Sequence, residues 1–189
     1  MQILTASSKL EDRYFSDHEE LARKVQALRE LGQKIVLTQG VYDLLHIGHV
    51  RYLEEAKKHG DVLIVAVDSD AVTQARKGPK RPIVPQDERL SMLAALWCVD
   101  LLTIIDTHHD KNSHIMSIKP DVLITSSTTK DFTEPTKVML KQYCGEVITL
   151  SAQAEISTTA RLRNLAIDGA SDLAEKIANV INEHIKGGE

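Results

Sequence analysis

The feature that most constrains the fold is an alternation of short apolar runs with stretches of helical periodicity. Five runs rich in Val, Ile and Leu read KIVLT, DVLIVAVD, DLLTIID, DVLIT and EVITL. They show little polar alternation, which is typical of strands covered on both faces. Amphipathic stretches separate the runs, so the sequence predicts an α/β fold with a doubly wound, five-stranded parallel sheet and helices on both faces.

The helical stretches carry recognisable start and stop signals. Ser16 and Glu19 suit a capping box before HEELARKVQALREL, a leading helix that ends at Gly32. In DERLSMLAALW, Met92 and Trp97 have the spacing of a buried helix face.

These signals divide the chain into three parts of a Rossmann-like arrangement. We predict an N-terminal segment with the leading helix over 1–33 and the sheet domain over 34–168. A C-terminal helical extension of the same domain is expected over 169–189, after Gly169. Residues 1–15 match no pattern.

Composition argues against several classes of protein. The 189 residues carry a formal net charge of -4 and no lysine- or arginine-rich tail, which argues against a nucleic-acid-binding protein. No apolar run approaches the ~20 residues that span a bilayer, and no signal peptide is indicated. Cys98 and Cys144 match no metal-ligand spacing and are expected to be buried thiols in a reducing compartment. We expect a cytoplasmic protein with no nucleic-acid or membrane partner.

The stretch TQGVYDLLHIGH follows the first apolar run and places two histidines three residues apart, with a glycine between them. A glycine at a strand end lets a phosphate approach, and the next helix offers N–H groups and a positive dipole end. Two imidazoles there can donate hydrogen bonds to an anion, which favours a nucleotide α-phosphate. A zinc site would need a third ligand, and packing or capping would be usual for a single histidine. Asp43 suits capping and ligand contact equally well.

These residues carry a family resemblance. GVYDLLHIGH resembles the GxFDxxHxGH signature of the nucleotidylyltransferase superfamily, in its cytidylyltransferase-like branch, and ISTT at 156–159 resembles the second signature. LLHIGHVRYLEEAKKHGDVLIVAVDSD and KGPKRPIVPQDERLSMLAALWCVD look most like the adenylyltransferase domain of ADP-heptose synthases. The likeness extends from Lys34 to Arg163.

The resemblance implies a nucleotidyltransferase, either an adenylyl- or a cytidylyltransferase. A sugar-phosphate oxygen would attack the α-phosphate of ATP or CTP, and pyrophosphate would leave. The acceptor would be a small phosphorylated sugar similar to heptose 1-phosphate, Mg²⁺ would arrive with the triphosphate and not in a metal site of the protein, and the chain would form a homodimer. The alternatives are a cytidylyltransferase for glycerol phosphate or a related alcohol phosphate, and a nucleotide-binding protein without turnover.

The resemblance also implies which residues form the site. His46 and His49 would stabilise the transition state, with Arg51 as a third catalytic residue; for Arg51 the alternative is an exposed helix face. Nucleotide binding would involve residues of both signatures, one helical arginine and one serine after the fourth apolar run: Thr38, Gln39, Gly40, Val41, Tyr42, Asp43, Gly48, Arg89, Ser126, Ile156, Ser157, Thr158 and Thr159.

A cationic loop is the third component of the predicted site. KGPKRP places Lys77, Lys80 and Arg81 close together, where they could clamp pyrophosphate or the acceptor phosphate. Lys77, Arg81 and Asp68 are assigned to this function, whereas a solvated position is favoured for Lys80. For Arg89 the alternative is an exposed ion pair with a neighbouring acid.

One loop departs from the related enzymes. TSSTTKDF, from Thr125 to Phe132, stands where heptose-type enzymes have KGGDY. Serines close the backbone approach that glycines allow. Because this loop is expected beside the ligand cleft, we expect it to affect substrate choice or activity.

Overall fold

The parallel sheet predicted from the apolar runs is present in a computed structural model, which describes residues 9–129 and 132–151. Within these ranges the sheet has six strands. In chain order they are β1 (Tyr14–Phe15), β2 (Ile35–Gly40), β3 (Val62–Asp68), β4 (Leu101–Ile105), β5 (Val122–Ser126) and β6 (Glu146–Leu150).

Helices precede or connect these strands, as the alternating pattern predicts. In the described ranges they are α1 (Leu10–Arg13), α2 (His18–Glu30), α3 (Ile47–Lys57), α4 (Asp70–Lys77), α5 (Gln86–Ala94), α6 (Ser113–Ile118) and α7 (Glu134–Leu140). None of the helices in these ranges is long and apolar enough to cross a membrane.

The strand order explains where a ligand would bind. All neighbouring strands are parallel, in the order β1-β4-β3-β2-β5-β6. From β2 the chain proceeds outwards through β3 and β4, then returns past β2 to form β5 and β6. The reversal between β2 and β5 creates a topological switch point, which is where open α/β sheets bind ligands beyond the carboxyl ends of their strands.

The two faces of the sheet are covered by separate apolar layers. Leu53 of α3 packs with Val36 on one face, together with residues of α5. Leu21 of α2 packs with Leu37 on the other face, together with residues of α6. Successive β2 side chains therefore point into opposite layers, as expected for a strand covered on both sides. The predicted α/β class is confirmed.

The sheet has one strand more than predicted. Tyr14 and Phe15 pair in parallel with Leu102 and Thr103 of β4. This strand lies within the segment that matched no pattern, because two residues are too few to show a period.

Two local predictions are wrong. The N-cap of α2 is Asp17, whose carboxylate accepts a hydrogen bond from the Glu19 N–H at 2.8 Å, so Ser16 does not form the capping box. Trp97 is 69% exposed, because α5 ends at Ala94 and the helical spacing no longer applies beyond it. Cys98 and Cys144 are buried free thiols, as expected.

Residues 1–8, 130–131 and 152–189 lie outside the described residues. They include the ISTT signature at 156–159 and the predicted extension over 169–189. The division into 1–33, 34–168 and 169–189 stays a prediction.

Candidate active site

The carboxyl ends of β3, β2 and β5 lie side by side at one edge of the sheet. The register pairs Gly40 with Val67 and Thr38 with Ile124. Because the strands are parallel, Asp68 and Ser126, the last residues of β3 and β5, reach about the same level as the end of β2. The predicted site residues of these three strands are therefore brought together at the switch point.

The loop from β2 to α3 has an unusual backbone. Tyr42 has φ 54° and Leu44 has φ 50°, a left-handed conformation that non-glycine residues rarely adopt. Such conformations cost about 1–3 kcal/mol each and occur preferentially at functional sites. Gly40, the last residue of β2, packs closely against this loop, since a Cβ there would lie 3.1 Å from Cε2 of the Tyr42 ring and would crowd it.

Asp43 fixes this loop to the segment that precedes α5. Its buried carboxylate accepts hydrogen bonds from the backbone N–H groups of Ile83 and Val84, each at 3.0 Å, and from the Arg81 guanidinium at 2.7 Å. Burial raises the pKa of Asp43, but these donors outweigh it and the pKa is lowered overall. Asp43 is thus an ionised anchor for the histidine loop.

His46 is the N-cap of α3. Its Nδ1 accepts a hydrogen bond from the Gly48 N–H at 3.1 Å. A neutral imidazole that accepts through Nδ1 carries its proton on Nε2, so His46 presents an N–H donor there. The first turn of α3 is thus joined to His46 twice, because the Gly48 N–H bonds to the ring and the His49 N–H bonds to the His46 backbone carbonyl at 2.9 Å.

His49 stacks on His46 one turn further along the helix. The ring centroids are 4.0 Å apart with an interplanar angle of 27°. The Tyr42 and His49 rings pack in a T-shaped arrangement, with their centroids 5.5 Å apart and an interplanar angle of 69°. Burial lowers the pKa of His49 to about 4, with further contributions from His46 and Lys77. His49 is therefore a neutral imidazole at physiological pH.

Cationic side chains lie beside the histidine pair. Burial lowers the pKa of Lys77, and the nearby Arg76 and Arg81 lower it further, which indicates a crowded positive cluster. Arg76 pairs with the buried Asp68 at 2.6 Å, and Arg81 pairs with Asp43 at 2.7 Å. Two acids thus neutralise part of this cluster.

Arg51 is exposed on α3, in the first turn after His49.

Arg89 is wholly buried, which excludes the exposed ion pair with a neighbouring acid. Its guanidinium donates to the carbonyls of Val41 and Asp68 at 2.5 and 2.9 Å, and its Nε donates to the Val84 carbonyl at 3.0 Å. It also pairs with Asp70 at 2.7 Å. These contacts join the ends of β2 and β3 to the segment that precedes α5. Arg89 is therefore a positioning residue for the loops that follow these strands.

Three other predicted residues use their polar atoms within the protein. The Thr38 hydroxyl bonds to the Tyr52 hydroxyl at 2.8 Å and to the Ile124 carbonyl at 3.1 Å. Gln39 bonds through Oε1 to Nε2 of His114 at 2.7 Å. Ser126 bonds through Oγ to the Thr128 hydroxyl at 2.8 Å, within the altered loop.

The structure also identifies supporting residues that sequence reasoning missed. The backbone of Ile83 and Val84, the carboxylate of Asp70 and the hydroxyl of Tyr52 hold predicted residues in place. His114 does the same for Gln39 from 75 residues away along the chain. No local signal in the sequence indicates such a contact.

In 9–129 and 132–151, no group of three or more His, Cys, Asp or Glu side chains is placed to hold a metal ion.

Comparison with known proteins identifies the family. A model of the family described as cytidylyltransferase-like matches residues 37–164, which include the strained loop and both histidines. The chain belongs to the cytidylyltransferase-like family. This membership confirms the resemblance and the enzyme class that the motif predicted, a nucleotidyltransferase.

Individual members with similar sequences include two bifunctional proteins named HldE. The chain is 37% identical over 150 residues to the bifunctional protein HldE of Yersinia enterocolitica. The matched region covers 79% of this chain and 31% of that protein. It is 38% identical over 151 residues to HldE of Escherichia coli O1:K1, with 79% and 31% covered. The chain thus spans about a third of the length of these relatives.

A solved structure shows the same family fold at smaller size. The lipopolysaccharide core biosynthesis protein of Thermoplasma volcanium superposes with a TM-score of 0.56 at 31% sequence identity. The match covers 64% of this chain and 98% of that protein.

Proposed function

We propose that the protein transfers a nucleoside monophosphate from ATP or CTP to a small sugar phosphate. An oxygen of the acceptor phosphate attacks the α-phosphorus. The bond from that phosphorus to the β-phosphate oxygen breaks, and pyrophosphate leaves with its electron pair. No covalent enzyme intermediate is involved.

The stacked imidazole pair carries this proposal. His46 has its Nδ1 occupied by the Gly48 N–H, so in the neutral ring the proton is on Nε2, which can donate it to a phosphate oxygen. Donation into Nδ1 from the start of α3 polarises the ring and strengthens the Nε2–H as a donor. His49 is neutral at physiological pH and supplies a second donor. Together they stabilise the charge that grows on the α-phosphate oxygens, with Arg51 beside them.

The cations after β3 suit the other phosphates. The charge of Lys77 lowers the pKa of His49, so the Lys77 ammonium lies near the histidine pair. A phosphate group placed there would relieve the repulsion among Lys77, Arg76 and Arg81. We assign Lys77 and Arg81 to the acceptor phosphate or pyrophosphate, and Asp68 to holding this cluster through Arg76.

The sugar class of the acceptor rests on the relatives. Two are named HldE, and the Thermoplasma volcanium structure is titled as a lipopolysaccharide core biosynthesis protein. These likenesses favour a saccharide acceptor, similar to heptose 1-phosphate, over glycerol phosphate. Mg²⁺ enters as part of the triphosphate substrate, and the homodimer and the phosphate contacts of Ser157, Thr158 and Thr159 are proposed from the family likeness.

The decisive assay measures acceptor-dependent pyrophosphate release with ATP and CTP. We expect His46→Ala and His49→Ala each to lower kcat about 10²–10³-fold, the usual loss for one transition-state donor. His59→Ala is the matched control, because His59 follows α3 at the opposite edge of the sheet. Full turnover in both variants would refute the mechanism. Tight triphosphate binding without turnover in the wild type would identify a binding protein.

A further inference from the structure

A polar cleft lies at the carboxyl ends of β1 and β4, apart from the candidate active site at β2. Its volume is about 600 Å³. Its walls come from the N-terminal segment, the loop after β4 and the first residue of α5. The lining residues are Tyr14, Ser16, Asp17, His18, Glu19, Gln86, Ile104, Asp106, His108 and His109.

A row of histidine rings forms one wall of this cleft. The His109 ring lies 4.1 Å from that of the exposed His108 and 4.1 Å from that of the buried His18. His18 is held by a hydrogen bond from its Nε2 to the Ile104 carbonyl at 2.8 Å. Behind it, His114 is 5.9 Å away and bonds to Gln39 of β2. The row thus extends from the exposed His108 to His114, which bonds to the strand that bears the candidate active site.

The charge of the cleft excludes an anionic ligand. Three carboxylates line it, from Asp17, Glu19 and Asp106, and no Lys or Arg is among its described lining residues. Hydrogen bonds from the Thr107 N–H and the Ser69 hydroxyl lower the pKa of Asp106, so this acid is ionised. A phosphate would be repelled here, in contrast to the cationic cluster around Lys77.

Hydrogen-bond donors also line the cleft, and their presence favours a hydroxyl-bearing ligand over a cation. His109 accepts the Asp106 N–H through Nδ1 at 2.9 Å, so its Nε2 carries a proton. Burial and the acids Asp87 and Asp106 raise the pKa of Tyr14, so its hydroxyl stays protonated. A cation needs acceptors alone, whereas a hydroxyl group both donates and accepts.

We propose that this cleft binds the hydroxyl groups of a neutral polyol chain, with Glu19, Asp106 and His109 as its hydrogen-bonding side chains. This inference rests on the proposed function, in which the acceptor is a sugar phosphate. The cleft then holds the sugar end of the acceptor, while the cationic cluster holds its phosphate. Gln86 connects the two sites. It lines the cleft, bonds to Asp70 beside the end of β3, and lies five positions after Arg81 in the chain.

The test compares acceptors of different length in variants of the cleft. We would measure kcat/KM for heptose 1-phosphate and for glycerol 3-phosphate in the wild type, Glu19→Gln and His109→Leu. The ratio of the two values should fall threefold to tenfold in each variant, the loss expected for one hydrogen bond. Glu20→Gln, one position along the same exposed helix turn, is the matched control and should keep the wild-type ratio. Circular dichroism establishes folding, and Glu19→Gln, at an exposed position, serves if His109→Leu does not fold.

A second readout separates the two proposals. Saturation-transfer NMR with heptose 1-phosphate should show contact at the sugar protons far from the phosphate in the wild type, and its loss in the Glu19→Gln/His109→Leu variant. This contact without any turnover would uphold the cleft and refute the proposed function. Turnover with an unchanged acceptor ratio would refute the cleft alone. Neither turnover nor contact would refute both.

Discussion

Two groups of neighbouring imidazoles lie at the same edge of the sheet, one a stacked pair and the other a row of tilted rings, and different charges surround them. The pair His46 and His49 follows β2, on a strained loop at the start of α3, with Lys77 close by. The histidine row follows β4 and faces carboxylates. Both have rings about 4 Å apart, and burial lowers the pKa of a member in each.

The comparison teaches that burial and neighbouring histidines together disfavour a charged imidazole, and we propose that the surrounding charges decide which ligand it binds. Beside cations, neutral N–H donors complete an anion site. Beside carboxylates, the same donors complete a site for hydroxyl groups. From the sequence alone only the first group can be recognised, because His46 and His49 lie in one short motif. The histidines of the row come from three separate places in the chain.

The largest effect should come from separating the two functions of His46. His46→Asn can still cap α3 but loses the Nε2–H donor, so we expect a 10²-fold or greater loss of kcat with little change in stability. His46→Ala should lose the same activity and about 1 kcal/mol of stability as well. Turnover assays and urea unfolding measure the two effects. Equal stability in both variants would show that the ring does not cap the helix.

A larger loss of stability, but no direct loss of a phosphate donor, should follow removal of the Arg89 contacts that hold the loop of the histidine pair. Arg89→Met removes the buried guanidinium from two strand-end carbonyls and from Asp70, so we expect a loss of about 3 kcal/mol in the free energy of unfolding. Arg23→Met, at an exposed position of α2, should stay within about 0.5 kcal/mol. Wild-type stability of the Arg89 variant would contradict a positioning function.

The histidine row should contribute acid sensitivity. Burial lowers the pKa of His114 from 6.5 to about 3, so between these values the unfolded chain binds a proton that the folded chain does not. Stability therefore falls as pH falls below 6.5. His114→Gln, which can still donate to Gln39, should flatten this fall in urea unfolding at pH 7, 5.5 and 4.5. His108→Gln is the exposed control, and an equal effect there would contradict the assignment to the buried ring.

The smallest effect should be a change in the pKa of His109 when the neighbouring Asp106 loses its charge. Asp106 opposes the lowering of the His109 pKa, whereas burial, His18 and His108 cause it. Asp106→Asn should therefore lower the pKa of His109 further. An NMR titration of the His109 ring measures this shift, and an upward shift would contradict the arrangement.

The sequence was sufficient for the main architecture because strands buried on both faces leave long apolar runs. It could not reveal β1, which has two residues, or the exposure of Trp97, which depends on where α5 stops. The histidine motif indicated the site, but not its geometry. The left-handed Tyr42 and Leu44 have no distinctive residue type, and the burial of Arg89 depends on carbonyls from three separate segments.

In the proposed mechanism, the stacked imidazoles of His46 and His49 are neutral and donate through Nε2 to the α-phosphate. Nitrogen-15 NMR of the His46 and His49 rings at pH 7, with and without the methylene analogue of ATP or CTP, tests it most directly. We expect a proton on Nε2 and none on Nδ1 of His46, a neutral His49, and a shift of both Nε2 signals when the analogue binds. A proton on Nδ1 of His46, a charged His49, or binding that leaves both rings unchanged would contradict the account.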